Sequence, residues 1–347
     1  MGRRLVKQAL ADAERAVSRR DALRALGGGG LALGAGKALN NVFIGYGILT
    51  GTNLLEQDLA SLSDETLVPK PFTWTGPDGH RLRYNPGRVR VLDPTGRVVL
   101  DRRLPVEDAE TVGSTELPGD PITELSADLP TLLAGDHKYT FHQPSAFFER
   151  LDGTTLRPAT VAALRGNRFE AVSRETVRRF ADADPDDPAA LIDGMKAGFR
   201  TYSGYDIERY LAGSIEDNVL AGTVDLRQHF ESPTSYGAIL AGDNTGLFCY
   251  TFAHRSIEAL HASPAYQQTP PVFGGVVTDP RHKHAYTAMG SVVREDGDLV
   301  VPVTFIDYTH STLYDDLNLR GVLGEGLAAY DDRHRAARID WNRYAVV

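Results

Sequence analysis

The chain contains a single cysteine, Cys249, in the stretch "TGLFCYTFAHRSIEAL". Apolar and small residues follow it at helical spacing, so the pattern predicts a helix that begins at the cysteine. In the first turn of a helix the backbone N–H groups lack helical partners and the macrodipole is positive, which favours a thiolate. Cysteine is also among the most buried residue types. A nucleophile and a core residue are both open interpretations of Cys249.

Two further residues with catalytic chemistry follow the cysteine. The segments "HAYTAMGSVVR" and "LVVPVTFIDYTH" alternate as strands do and flank the turn "EDGD", which predicts an antiparallel pair. His284 begins the first strand and Asp307 lies near the end of the second, so we expect cross-strand neighbours. A helix packed across this sheet can bring Cys249 to the same edge. A thiol, an imidazole that accepts its proton and a carboxylate that orients the imidazole form a nucleophilic triad.

The segments "GLFCYTFAHRSIEAL", "HAYTAM" and "FIDYTH" resemble the transglutaminase-like cysteine hydrolases and acyltransferases of the papain-like superfold. In that family a cysteine opens a helix, and a histidine and an aspartate follow on successive strands. Cys249, His284 and Asp307 match these positions, within a resemblance that covers about residues 245–310. It implies an α+β fold in which the cysteine helix packs on an antiparallel sheet, here with a β-rich N-terminal region.

The match departs from the family pattern in three places. Gly246 lies three residues before the cysteine, whereas the family usually has a glycine two residues before the cysteine. Tyr286 stands where tryptophan is usual, and Tyr308 where proline is common.

The resemblance implies a thiol-dependent amide hydrolase or acyltransferase that acts on a peptide or protein amide and needs no cofactor. The backbone N–H of Cys249 is one expected donor to the oxyanion. Tyr236, Gln228 and Asn244 are candidates for the second donor, and the sequence does not choose among them.

Other interpretations of these residues stay open. The same fold can serve as a non-catalytic binding or cell-surface module with Cys249 in its core. His282 and His284 form an H-x-H pair that lies on one face of a strand and can bind zinc in a metal-dependent hydrolase, although no supporting metal motif is present. His310, close to Asp307 in sequence, competes with His284 as the general base.

Residues 1–45 form a basic and apolar segment. The stretch "SRRDAL" precedes a run rich in Gly, Ala and Leu, as in a twin-arginine export signal. Export or membrane attachment through this segment is one expectation. An amphipathic helix in a cytoplasmic protein is the other, because Leu5, Ala9, Ala13 and Val17 recur at helical spacing.

The remaining sequence predicts a β-rich region over 46–150 and a transglutaminase-like domain over 151–347. "RVRVLDPTGRVVLD" predicts a hairpin, residues 105–137 are interpreted as a loop, and helical spacing is seen near 157–165, 172–183, 187–200 and 205–220. With 347 residues, a net charge of −9 and one cysteine, the chain is predicted to have a substantial core. An extended nucleic-acid surface and an internal disulfide framework are not expected.

Overall fold

A computed structural model of the protein describes the following residues: 54, 57–63, 67–76, 78–106, 121–166, 172–206, 209, 212, 234–242, 245–279, 284–309 and 336–341. The described part is a mixed α+β fold. Its helices are α1 Leu59–Leu62, α2 Pro121–Ala134, α3 Pro144–Leu151, α4 Pro158–Arg165, α5 Arg174–Ala181, α6 Pro188–Tyr202, α7 Tyr236–Ala241 and α8 Cys249–Leu260.

Four consecutive antiparallel strands form a small sheet in chain order. They are β1 Phe72–Thr75, β2 Arg81–Asn85, β3 Arg88–Leu92 and β4 Val98–Arg103. The hairpin predicted from "RVRVLDPTGRVVLD" is present as β3 and β4. In its turn, the Asp93 carboxylate accepts hydrogen bonds from the N–H groups of Thr95 and Arg97, and Gly96 has φ +89, which favours glycine.

The larger sheet has seven strands and is mostly antiparallel. These are β5 His137–Phe141, β6 Thr155–Leu156, β9 Phe273–Asp279, β10 His284–Gly290, β11 Val293–Glu295, β12 Asp298–Ile306 and β13 Arg338–Asp340. The path runs β13-β9-β10-β12-β11-β6, and β5 pairs in parallel with β12. A separate parallel pair joins β7 Ser203–Tyr205 to β8 Thr245–Leu247.

Apolar side chains cover both faces of the larger sheet. Tyr286 and Phe305 belong to a cluster that also contains Leu82 from the inward face of the small sheet. Met289 and Ile306 belong to the cluster on the opposite side, together with α8 and α6. The sheet is therefore enclosed between the small sheet with its helices and the helical layer that includes α8.

Strands from both sides of residue 150 share the larger sheet, because β5 pairs with β12 along Leu299↔His137 to Val303↔Phe141. The small sheet and the larger sheet also contribute to one apolar cluster. A boundary near residue 150 therefore does not separate two independent cores in the described part of the chain.

The loop predicted over 105–137 is wrong for its second half, where α2 spans Pro121–Ala134. Buried Leu125 and Leu129 follow Ile122 at helical spacing, and Pro121 occupies the first helical position, where its missing N–H costs nothing. Pro130, which lies inside the helix, obscured this pattern.

The helix predicted near 187 is confirmed as α6. The Asp187 side chain accepts a hydrogen bond from the Ala190 N–H, and Pro188 occupies the first turn. The predicted segment 205–220 lies almost entirely outside the described residues, as does the predicted signal or anchor over 1–45. Within the described ranges, no helix is both long enough and apolar enough to cross a membrane.

Candidate active site

The predicted cysteine helix is confirmed, and Cys249 is its first residue. Phe248 precedes it in an extended conformation, and the first helical bond runs from the Phe252 N–H to the Phe248 carbonyl at 2.8 Å. Upstream, the β7–β8 pair fixes the path of the chain into the helix. At Gly246, a Cβ atom would come within 2.9 Å of the Asp206 side chain, so the close approach of these strands requires glycine.

Helix α8 lies directly on β9 and β10. A Cβ atom on Gly274 would lie 2.7 Å from Ile257, so the glycine allows the helix to approach the sheet closely. One residue nearer to the cysteine, the buried hydroxyl groups of Ser256 and Thr287 are 2.5 Å apart. These two contacts hold Cys249 in a defined register against the start of β10.

His284 and Asp307 are joined by their side chains. The Nε2 atom of His284 lies 2.8 Å from Oδ2 of Asp307, and the two residues are 8% and 1% exposed. The ladder between β10 and β12 ends at Thr287↔Ile306, so the pair lies just past the last paired residues. The predicted proximity of His284 and Asp307 is therefore confirmed, although they are not directly opposite each other in the ladder.

The carboxylate of Asp307 is held from two sides. Its Oδ1 atom accepts a hydrogen bond from the Thr309 N–H at 2.9 Å, and Oδ2 faces the imidazole. An ionised carboxylate only accepts hydrogen bonds, so Nε2 of His284 carries the proton and donates it to Asp307. This tautomer makes Nδ1 the basic nitrogen of the ring.

The cysteine sulfur lies against the residue that follows His284. The backbone N–H groups of Ala285, Cys249 and Tyr250 lie near Cys249 Sγ and favour its charged form. Cys249 packs on the small apolar cluster that contains Ala285. The sulfur therefore lies close enough to the start of β10 and to the Asp307 carboxylate for both to change its pKa.

Burial raises the pKa of the Cys249 thiol to about 11, from an ordinary value of 9.0. The nearby Asp307 carboxylate acts in the same direction, whereas the three backbone N–H groups lower the pKa by a smaller amount. The expectation that the helix terminus produces a resting thiolate is therefore wrong. The cost of removing the sulfur from water exceeds the stabilisation from the helix end.

Tyr236 does not fit its predicted role as an oxyanion donor. It is buried in the first turn of α7, and its hydroxyl donates to the Arg255 carbonyl at 2.5 Å. Arg255 lies nearly two turns along α8 from Cys249, so this hydroxyl links two helices in the core. Burial also raises the Tyr236 pKa well above its usual value.

The other predicted donors, Gln228 and Asn244, lie outside the described residues, and so do His282 and His310. The zinc interpretation of His282 with His284 is therefore not tested by the geometry. Across the ranges that the structure describes, no group of three or more His, Cys, Asp or Glu side chains is arranged to hold a metal ion.

Two backbone groups of the site were not expected from the sequence. The role of the Ala285 N–H could not be predicted from the residue pattern, because this group is free to face the sulfur only where the pairing of β10 with β12 has ended. The contribution of the Thr309 N–H could have been recognised, since an aspartate that accepts from the N–H two residues later is a common local motif.

A cavity of about 620 Å³ lies elsewhere, between the small sheet and helices α2 and α4. Trp74, Leu82, Glu124 and Tyr266 are among its lining residues, and no member of the triad lines it.

No family model, curated protein or solved structure matches this chain. The function of the chain is therefore inferred from the chemistry of the residues around Cys249.

Proposed function

We propose that the protein is a thiol-dependent amide hydrolase or acyltransferase, with a transglutaminase-like arrangement of Cys249, His284 and Asp307. The observation that carries the proposal is the 2.8 Å contact between His284 Nε2 and Asp307 Oδ2. The residue after His284, Ala285, has its backbone N–H next to the cysteine sulfur. The contact between His284 and Asp307 selects the imidazole tautomer needed for general-base catalysis.

The proposed reaction begins with a neutral thiol. As Sγ of Cys249 attacks the carbonyl carbon of an amide, its proton moves to Nδ1 of His284, and the carbonyl π electrons move to oxygen. The Cys249 N–H at the helix start donates to this oxyanion. When the C–N bond breaks, the imidazolium protonates the leaving amine and a thioester remains. Water or a second amine, deprotonated by His284, then displaces the thiol.

Asp307 has two tasks in this scheme. It orients the imidazole, and its negative charge stabilises the imidazolium that forms during attack. Its own position is fixed by the Thr309 N–H. The carboxylate also disfavours a resting thiolate, so proton transfer to His284 is coupled to attack rather than completed beforehand.

A non-catalytic binding module is the second candidate, and the raised pKa of Cys249 favours it. Desolvation that keeps a thiol protonated is typical of core cysteines, although Cys249 as a residue is half-buried. The peptide substrate, the export of the chain and its attachment to a membrane remain proposals that rest on the sequence.

The two candidates are separated by acylation of the protein with a panel of p-nitrophenyl acyl esters, followed by intact mass. We expect one acyl group on the wild-type protein, none on Cys249→Ala, and strongly slowed acylation in His284→Ala and Asp307→Asn. For Asp307→Asn the acylation rate should fall by as much as roughly 10⁴-fold, by analogy with serine hydrolases.

Asp298→Asn is the matched control, because Asp298 is an exposed aspartate at the start of β12, the strand that Asp307 follows, and forms an ion pair with the exposed Lys138. Its acylation should equal that of the wild type. Acylation that survives in Cys249→Ala, or that is unchanged in His284→Ala while the melting temperatures of the variants are retained, would refute the triad.

A further inference from the structure

The outward face of the small sheet is strongly basic. Alternate residues of its strands point away from the core, and five of these outward positions are arginine: Arg81, Arg83, Arg88, Arg90 and Arg103. We call this set the arginine face. Asp101 is the one acidic residue among the outward positions of the four strands, although the whole chain has a net charge of −9.

The register of the sheet places like charges directly opposite each other. Arg83 faces Arg90 across β2 and β3, and Arg88 faces Arg103 across β3 and β4. Directly opposed like charges destabilise a sheet. Asp101 offsets part of this repulsion, since it accepts hydrogen bonds from both Arg88 and Arg90.

Three of the arginines are not neutralised in this way by the described residues, and one of them, Arg81, is half-buried. Arg83 and Arg103 are exposed, and neither makes an ion pair with any residue that the structure describes. The fold thus keeps a destabilising concentration of positive charge on one face of the small sheet, and folding alone gives no reason for it.

The guanidinium groups of the arginine face are suited to bind several phosphate groups that lie side by side on a surface. Guanidinium groups bind phosphate through paired N–H donors. Single-stranded nucleic acid also offers phosphates, but proteins that bind it use exposed aromatic rings on which the bases stack. The aromatic residues Phe72, Trp74 and Tyr84 of these strands point inward, and no outward position carries one.

We propose that the arginine face binds the surface of a membrane that contains anionic phospholipids. Contact is electrostatic and peripheral, because arginine dominates the outward positions and Val98, at the start of β4, is the one exposed large apolar side chain of the four strands. The proposal is independent of the reaction at Cys249, since the face belongs to a different sheet.

The test is co-sedimentation of the full chain with vesicles of phosphatidylcholine, alone or mixed with phosphatidylglycerol. We expect binding only to the mixed vesicles, and weaker binding as salt increases. The double variant Arg83→Gln with Arg103→Gln should bind about 30-fold more weakly, because each arginine at an anionic surface contributes roughly a sixfold change in partition.

The matched control is Arg178→Gln with Arg179→Gln on α5, which removes the same charge from another exposed surface. It should bind as the wild type does. Thermal melting provides a second measurement: Arg83→Gln relieves repulsion with Arg90 and should leave the melting temperature equal or higher, so weaker binding cannot be attributed to unfolding.

Two results would overturn the proposal. Equal vesicle binding by the wild type and the double variant would assign the interaction to another part of the chain, such as the basic residues within 1–45. Binding of a labelled single-stranded oligonucleotide that depends on Arg83 and Arg103, without vesicle binding, would assign the face to nucleic acid.

Discussion

The state of the Cys249 thiol leads to a quantitative prediction about alkylation. A pKa of about 11, compared with an ordinary value of 9.0, means that the thiolate fraction at neutral pH is about one hundredth of that in an unhindered thiol. Thiolates of higher pKa are more nucleophilic, which recovers roughly a tenfold factor for this shift. Iodoacetamide should therefore label Cys249 about tenfold more slowly than a model thiol at neutral pH.

The assay follows the rate of labelling by intact mass as a function of pH. We expect the rate to rise until the pH approaches 11 and to level off there. Asp307→Asn removes the carboxylate that disfavours the thiolate, so it should move the rise to lower pH. Labelling at neutral pH that is faster than the model thiol would refute the reasoning, because it would show that Cys249 and His284 rest as an ion pair.

The same shift affects folding. In the folded protein the thiol stays protonated up to about pH 11, whereas in the unfolded chain it ionises near 9.0. The stability that this group contributes is therefore fully present below pH 9, and about 3 kcal/mol of it is lost as the pH rises past 11. Denaturant unfolding of Cys249→Ala should lack this part of the pH dependence. An identical alkaline loss in the variant would contradict the assignment.

Two further predictions concern the contacts that support the site. Tyr236→Phe should lower the free energy of unfolding by about 1 kcal/mol, measured in urea, and leave acylation unchanged, whereas a large kinetic effect would restore its oxyanion role. Ser256→Ala should lower the free energy of unfolding by about 1–3 kcal/mol, because the buried Thr287 hydroxyl then loses the oxygen to which it donates. Thr287→Val should cost less, because the Ser256 hydroxyl keeps the Ala253 carbonyl as its partner. Equal costs for the two variants would show that the hydroxyl pair does not have this donor order.

The parts of the site that follow from local pattern could be predicted from the sequence. Helical spacing located the start of α8 at Cys249, and strand alternation around a tight turn brought His284 close to Asp307. These features depend on neighbours within one element or one hairpin. Local sequence is therefore enough to indicate them.

The parts that depend on tertiary packing could not be predicted. The thiol pKa is controlled by burial under elements distant in sequence, and this burial reverses the effect of the helix end. Tyr236 is committed to the Arg255 carbonyl only because α7 packs on α8. The parallel pairing of β5 with β12 joins parts of the chain on either side of the predicted boundary near 150, and no local pattern indicates it.

The protonated state of Cys249 also determines how the protein responds to oxidants. Thiolates attack the O–O bond of peroxides, so a thiol that stays neutral well above physiological pH is oxidised slowly to sulfenic acid. With no second cysteine in the chain, a sulfenic acid could not be trapped as an internal disulfide, and only external thiols would compete with further oxidation to irreversible forms. The burial that slows the attack of Cys249 on substrate therefore preserves the sulfur when no substrate is present, and intact mass after peroxide exposure measures this protection.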